Sequence, residues 1–203
     1  VYFAALDGTG HGVPAAYIDI LSFSYLNEAV SRGLKKPNEV LDYVSNKIIT
    51  SLTSEENINE PSLKDGFDGV FCTWDKKNRR LDFAGAHNPL YLVRDGKLME
   101  YKTDNMGVGD SSNKGKFTPY SISLQENDTI YIFSDGYQDQ FGGKKNKKFM
   151  KKNFRNLLFD ISDKPMHEQK DVLEETMDDW MGIREQIDDM LIMGVRFYSN
   201  YKK

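Results

Sequence analysis

The 203-residue chain predicts an α+β fold: a four-layer α-β-β-α sandwich of two antiparallel sheets flanked by helices. Three observations predict it. Amphipathic or apolar helical segments stand near both ends of the chain. A series of short strands, punctuated by turn residues, fills the middle and argues for antiparallel sheet. An Asp95-Gly96 pair between two apolar runs is a strong hairpin signal within that series.

The elements follow in order. The run Val1-Tyr2-Phe3-Ala4-Ala5-Leu6 reads as a strand and ends at Asp7-Gly8. After Gly12, Val13-Pro14-Ala15-Ala16 opens a helix, with Pro in the first turn where its missing N–H does no harm. That helix runs to about Arg32-Gly33 and is apolar on most sides (Tyr17, Ile18, Ile20, Leu21, Phe23), so it is expected to be well buried. Pro37 precedes a second helix from Asn38 to about Leu52, with Val40, Leu41, Val44 and Ile48 on one face. The polar stretch 53–64 reads as a surface loop.

Strands are predicted at Phe67–Asp75, Arg79–Ala86, Leu90–Arg94 and Lys97–Lys102. Phe117–Leu124 and Thr129–Ser134 read as a further hairpin. Met150, Phe154, Leu157, Leu158 and Ile161 recur at helical spacing, and Leu173, Met177 and Trp180 mark another helix. A last strand spans roughly Asp188 to Phe197.

Length and composition set bounds. A chain of 203 residues is expected to form one domain and can bury roughly 70% of its unfolded surface without a disulfide. The formal net charge of −4 gives no broad attraction to nucleic acid or anionic membrane. The basic run Lys144, Lys145, Lys147, Lys148, Lys151, Lys152 has little aromatic interleaving and reads as a solvated face, or as a patch that steers an acidic phosphoprotein. No apolar stretch is long enough to span a bilayer, so no membrane contact is expected of this domain. Cys72 is the single cysteine; it fits a reducing cytoplasm and a packed core thiol.

The chemistry lies in three acidic positions at strand ends. Asp7 and Asp135 each close an apolar strand and precede a glycine, and Asp188-Asp189 opens one. A carboxylate at the edge of a buried strand is costly to desolvate unless a cation or donors satisfy it. Rigid strand ends hold such groups at fixed distances, and hard oxygen donors suit Mg²⁺ or Mn²⁺. Bound ions of that kind acidify water and neutralise phosphoryl charge, with no serine or cysteine nucleophile needed. Asp68 either joins this set or caps a turn, and of Asp188 and Asp189 one binds metal while the other bonds to backbone. The three histidines, His11, His87 and His167, show no paired zinc spacing, and His87 is read as a residue that fixes its loop.

Six ordered motifs carry a family resemblance. Asp7-Gly8-Thr9-Gly10-His11-Gly12-Val13-Pro14-Ala15-Ala16, Asp65-Gly66-Phe67-Asp68 and Ala84-Gly85-Ala86-His87-Asn88-Pro89 come first. Met106-Gly107-Val108-Gly109, Ser134-Asp135-Gly136-Tyr137 and Asp188-Asp189-Met190-Leu191 follow. This series resembles the SpoIIE-like bacterial branch of the metal-dependent (PPM) serine/threonine protein phosphatases, over essentially the whole chain.

The resemblance implies two ions, Mn²⁺ or Mg²⁺. Asp7 would bridge them, the Gly8 carbonyl would bind one, and Asp135 and Asp188 would hold the other. Asp189, Asp68, His11 and Thr9 are additional candidates at the site; Thr9 stands where eukaryotic relatives carry a histidine. The implied substrate is phosphoserine or phosphothreonine on a regulatory protein, such as an anti-anti-sigma protein. Family members carry another acidic motif on a strand upstream of Asp7 and a sensor segment before it. The chain is therefore expected to be a single phosphatase domain shortened at its N-terminal strands, with an unpaired strand edge that invites a homodimer. The alternative reading is a non-catalytic, phosphatase-like module that binds a phosphoprotein.

Overall fold

The opening apolar run forms strand β1 (Tyr2–Gly8), which pairs antiparallel with β2 (Phe67–Asp75) along its whole length. The computed structural model describes residues 1–10, 13–53, 66–112 and 115–198. Within it the chain divides into two compact units, Val1–Pro89 with Lys102–Leu124 and Leu90–Tyr101 with Gln125–Lys203. Each unit holds one four-stranded antiparallel sheet. The α+β class with two antiparallel sheets is thus as the sequence predicts.

In the first unit the strand order is β1-β2-β3-β6, with β3 at Arg80–Ala86 and β6 at Tyr120–Ser123. Helix α1 (Val13–Ser31) and helix α2 (Pro37–Leu52) pack beside it. The predicted face of α2, Val40, Leu41, Val44 and Ile48, is buried against Phe67, Phe71 and Ala84. Burial of four such side chains contributes on the order of 6–12 kcal/mol before the entropy of ordering is counted. Cys72 is buried in β2, and burial pushes its thiol well above the ordinary range, as expected of a core cysteine.

Helix α1 departs from expectation. Ala15, Ile18, Ser22, Leu26 and Ala29 form its buried stripe, while Val13, Tyr17, Ile20 and Phe23 are 84, 52, 67 and 71% exposed. The reason is geometric: the stripe against β1, β2 and α2 covers one side of the helix, and apolar residues at other spacings remain outside.

The second unit orders its sheet β10-β7-β4-β5, with β4 at Leu90–Arg94, β5 at Lys97–Tyr101, β7 at Thr129–Phe133 and β10 at Ile192–Arg196. The β4–β5 hairpin turns at Asp95-Gly96, both with positive φ (48° and 66°), the backbone that a tight two-residue hairpin demands. Helix α4 (Lys151–Asp160) and helix α5 (Met166–Met181) bury Phe154, Leu158, Leu173 and Met177 with Tyr91, Phe133 and Tyr137. Phe154 meets Phe133 edge-on at 4.9 Å, a favoured aromatic geometry. A four-residue helix, α3 (Gly136–Asp139), and a small ladder of β8 (Phe141–Gly142) and β9 (Lys147–Lys148) link β7 to α4. The basic run belongs to this flap and the start of α4, where Lys148 and Lys151 pair with Asp139 and Glu100.

Two strand predictions are corrected. Residues 117–134 do not form a hairpin: β6 pairs with β3, whereas β7 pairs with β4 and β10. The connection carries Asp128, whose buried carboxylate takes two hydrogen bonds from Arg94 (2.8 and 2.6 Å) and one from the Gln125 N–H (2.7 Å). That anchors the turn to β4 rather than back onto β6. The last strand starts at Ile192, so Asp188-Asp189 precedes the ladder instead of lying in it. No described helix is long and apolar enough to cross a membrane.

Candidate active site

In the first unit, β1 and β2 place Asp7 directly opposite Asp68. Directly opposed residues share one face of a sheet with Cβ atoms about 5 Å apart, and like charges there repel. The register is held by Thr9. Its N–H and hydroxyl both donate to the Gly66 carbonyl (2.9 and 3.0 Å), and its oxygen accepts from the Gly66 N–H (2.8 Å). Thr9 thus ties the turn after Asp7 to the start of β2.

Glycines keep the surroundings open. A Cβ on Gly66 would strike the Val108 carbonyl, and one on Gly107 would lie 3.3 Å from Asp68 Oδ1. Phe67 and Val108 exchange two backbone bonds (3.0 and 2.9 Å), so the Met106–Gly109 motif is laid alongside Asp68. The Asp19 carboxylate of α1 lies over Gly8, where a Cβ would collide with it; sequence reading did not single out Asp19.

His87 sits at φ 55°, a left-handed residue in the link after β3. Its backbone N–H donates to the Asp104 carbonyl (2.8 Å), and its Nδ1 meets Asn105 Oδ1 at 3.1 Å. Nε2 lies 3.9 Å from Asp68 Oδ1. The expected loop-fixing contacts are present, and the ring also faces an acid of the candidate site.

In the second unit, Asp135 follows β7 and stands at the N-cap of α3, yet its carboxylate makes no capping hydrogen bond. Ser134 brings the other acids beside it. The Ser134 N–H donates to the Leu191 carbonyl (2.9 Å), its hydroxyl donates to the Asp189 carbonyl (2.8 Å), and the Leu191 N–H donates to that hydroxyl (2.9 Å). Gly136 permits the approach, because a Cβ there would strike the Asp189 carbonyl. Asp188 accepts the Asp189 N–H through Oδ1 (2.8 Å), one of its two oxygens.

Gln140 is a positioning residue that sequence reasoning missed. It is fully buried, donates to the Glu185 carbonyl (2.9 Å) and accepts the Ile187 N–H (3.0 Å). Its own carbonyl accepts the Trp180 Nε1–H (3.1 Å). A lone glutamine in a polar stretch carries no periodic signal, so only the fold discloses this clamp on the segment before Asp188.

The predicted acids therefore stand as two pairs: Asp7 with Asp68, and Asp135 with Asp188-Asp189. Among the described residues no three His, Cys, Asp or Glu side chains form a closed metal cage. His11 and Asp65 lie outside the described residues. The donor chemistry fits hard divalent ions, since carboxylates, a glycine carbonyl and retained waters are their usual ligands, and a repelling register pair gains from a cation.

Comparison with known proteins places the chain in a class. The chain resembles the SiaA-PP2C domain of Pseudomonas aeruginosa with TM-score 0.84 and 28% identity, covering 97% of this chain and 75% of that one. It resembles the PP2C phosphatase domain of SpoIIE from Bacillus subtilis, solved with a regulatory-domain fragment, with TM-score 0.75 and 18% identity over 98% of this chain and 54% of that one. It also resembles the PPM Ser-Thr phosphatase MsPP from Mycobacterium smegmatis in complex with cacodylate, with TM-score 0.62 and 14% identity over 97 and 88% of the two chains. Comparison with curated proteins gives no match. The fold is that of PP2C-type phosphatase domains, and the class is phosphatase. The chain belongs to the stage II sporulation protein E (SpoIIE) family, whose profile matches residues 1–198.

Proposed function

We propose that this chain hydrolyses phosphoserine or phosphothreonine monoesters on a bacterial regulatory protein, using two divalent ions, Mn²⁺ or Mg²⁺. The observation that carries the reading is the juxtaposition of acids, Asp7 opposite Asp68 on β1 and β2 and the Asp188-Asp189 segment beside Asp135 at the end of β7, in a member of the SpoIIE family. The proposed ligands are Asp7, the Gly8 carbonyl, Asp135 and Asp188, with Asp68, Asp189, Thr9 and His11 as additional members of the site.

Bound ions of this kind supply an acidified water and offset charge on the transferred phosphoryl group. The chain's own residues do the positioning. Thr9 holds the Asp7 turn to β2, Ser134 holds Asp189 beside Asp135, and Gln140 holds the backbone that leads into Asp188. A regulatory phosphoprotein, such as an anti-anti-sigma protein, suits the reading because structural neighbours come from regulatory systems, among them RsbU and RsbW domains and the bacterial stressosome. Attack by water without a covalent enzyme intermediate accords with Cys72 being sealed in the core.

Titration with Mn²⁺ by calorimetry, followed by phosphate release from a phosphoserine peptide, tests the proposal. The expected result is metal binding with hydrolysis that saturates with metal. Peptide binding without any phosphate release would instead favour the non-catalytic module.

A further inference from the structure

We propose that the β8–β9 flap of the second unit is a docking ridge for acidic residues that flank the phosphorylated residue of a substrate protein. The inference rests on the phosphatase reading above and narrows its substrate class. Residues 140–155 hold six lysines and one arginine and no Asp or Glu, in a chain of net charge −4. Lys144, Lys145, Lys147, Lys148 and Lys152 are all exposed.

Carboxylates of the fold take up only part of this charge. Lys148 pairs with Asp139, while Lys151 and Arg155 share Glu100. Lys144, Lys145, Lys147 and Lys152 make no ion pair among the described residues. Like charges gathered on one turn repel one another and attract an external anion.

The turn that carries them is held in place. A Cβ on Gly142 would strike the Trp180 carbonyl, and one on Gly143 would lie 2.8 Å from Trp180 Cζ3, so the turn is pressed onto that indole. The Gly143 N–H donates to the Trp180 carbonyl (2.8 Å), and the Gly143 carbonyl accepts from the Arg184 guanidinium (3.0 Å). The Phe149 and Met150 N–H groups donate to the Gln140 and Gln138 carbonyls (2.9 and 2.7 Å) and close the base of the flap. The chain reverses through left-handed Gly143 and Asn146, at φ 62° and 46°. Cations on a fixed turn lose less conformational freedom on binding than cations on a mobile loop.

Contacts along α3 tie the ridge to the candidate site. Lys148 Nζ bonds to Asp139 (2.7 Å), and the Asp139 N–H donates to the Asp135 carbonyl one helical turn back (3.0 Å). Asp139 raises the Lys148 ammonium above its ordinary pKa, burial opposes this, and the charge of Asp135 adds to the rise. Asp139 lies about 6 Å along the helix from Asp135. An extended peptide advances about 3.3 Å per residue, so a substrate with its phosphate at Asp135 brings acids roughly two to four residues away onto the flap lysines. Nucleic acid fits less well, because base stacking needs a free aromatic face. Trp180 is committed to Gly143, to Phe149 (ring centroids 5.3 Å apart) and to the Gln140 carbonyl.

The test uses the 203-residue chain with Mn²⁺ and two fluorescein-labelled peptides, read by fluorescence anisotropy. Both carry the non-hydrolysable phosphonate analogue of phosphoserine; one has glutamates two to four residues after it, the other glutamines. The glutamate peptide is expected to bind about threefold tighter or more, since each exposed ion pair contributes little by itself. That preference should shrink as salt rises from about 0.05 to about 0.5 M. The combined variant Lys144→Gln, Lys145→Gln, Lys147→Gln should bind the two peptides alike, with an unchanged circular dichroism spectrum. Removing the same charge at the exposed Lys35, Lys76 and Lys77 of the first unit should keep the preference. No binding of the glutamate peptide, equal binding of the two, or a preference that survives loss of the flap lysines overturns the proposal. So does tighter binding of a single-stranded oligonucleotide that the flap variant loses. The matching phosphoserine peptides separate this inference from the reading beneath it. Phosphate release at equal rates from both would sink the ridge and keep the phosphatase, whereas glutamate-dependent binding with no release from either would keep the ridge and sink the phosphatase.

Discussion

Asp7 and Asp68 are cross-strand partners in register on neighbouring strands, so their side chains leave the same face of the β1–β2 ladder. Such a pair destabilises a sheet in the absence of a cation, by about 0.2–1 kcal/mol. Asp68→Asn is therefore expected to raise the melting temperature of the metal-free protein slightly. The same variant should show a smaller rise on adding Mn²⁺ than the parent, because a ligand that binds only the folded state stabilises it more the tighter it binds, with the logarithm of its affinity. Thermal melts of both proteins with and without Mn²⁺ check this. An unchanged response to Mn²⁺ would remove Asp68 from the site.

Asp135 stands at the end of β7, at the N-cap of the short helix α3. Asp135→Asn is expected to abolish manganese-dependent phosphate release while leaving the circular dichroism spectrum and melting curve close to those of the parent. Full activity in this variant would reject Asp135 as a ligand.

Gln140 holds the backbone of residues 185 and 187 from a fully buried position. Gln140→Leu removes both bonds and leaves the Ile187 N–H to find another acceptor. The expected cost is about 1–3 kcal/mol by urea denaturation. Weaker binding of Mn²⁺ should accompany it, since Asp188 follows the released segment. Metal affinity equal to that of the parent would confine Gln140 to a purely structural role.

The Arg94–Asp128 pair sets the turn between β6 and β7. The Asp128 carboxylate is buried, while Arg94 is partly open to solvent. Asp128→Ala leaves the guanidinium and the Gln125 N–H without their acceptor, at an expected cost of about 3–5 kcal/mol. Chemical denaturation gives the value, and a cost below about 1 kcal/mol would mean that the turn does not depend on this pair.

Burial raises the Asp42 carboxyl above its ordinary value, and the hydrogen bond from the Phe117 N–H only partly opposes this. The folded state thus binds a proton more tightly than the unfolded chain. Asp42 costs stability at neutral pH, and that cost is relieved as the pH falls through the folded value toward the ordinary one. Asp42→Asn keeps an acceptor for Phe117 and carries no charge. The variant should gain most over the parent near pH 7, with the gain shrinking on acidification. Denaturation at a series of pH values measures the difference, and a gain that grows toward acid would contradict the assignment.

The periodicity of side chains was enough to locate most elements. Asp95-Gly96 announced its hairpin because these residues readily adopt the left-handed pair of a type I′ two-residue loop, and Val40, Leu41, Val44 and Ile48 marked the buried face of α2 by spacing alone. The acids at positions 7, 135 and 188 were visible as charges set against apolar runs, where burial needs a reason. Partnership was decided elsewhere. Which sheet takes β6 and which takes β7, the register that opposes Asp7 to Asp68, the Gln140 clamp and the exposed side of α1 all depend on residues far apart in the chain. Local pattern reports which side of an element avoids water; the identity of what covers that side is a long-range contact, and only the folded chain specifies it.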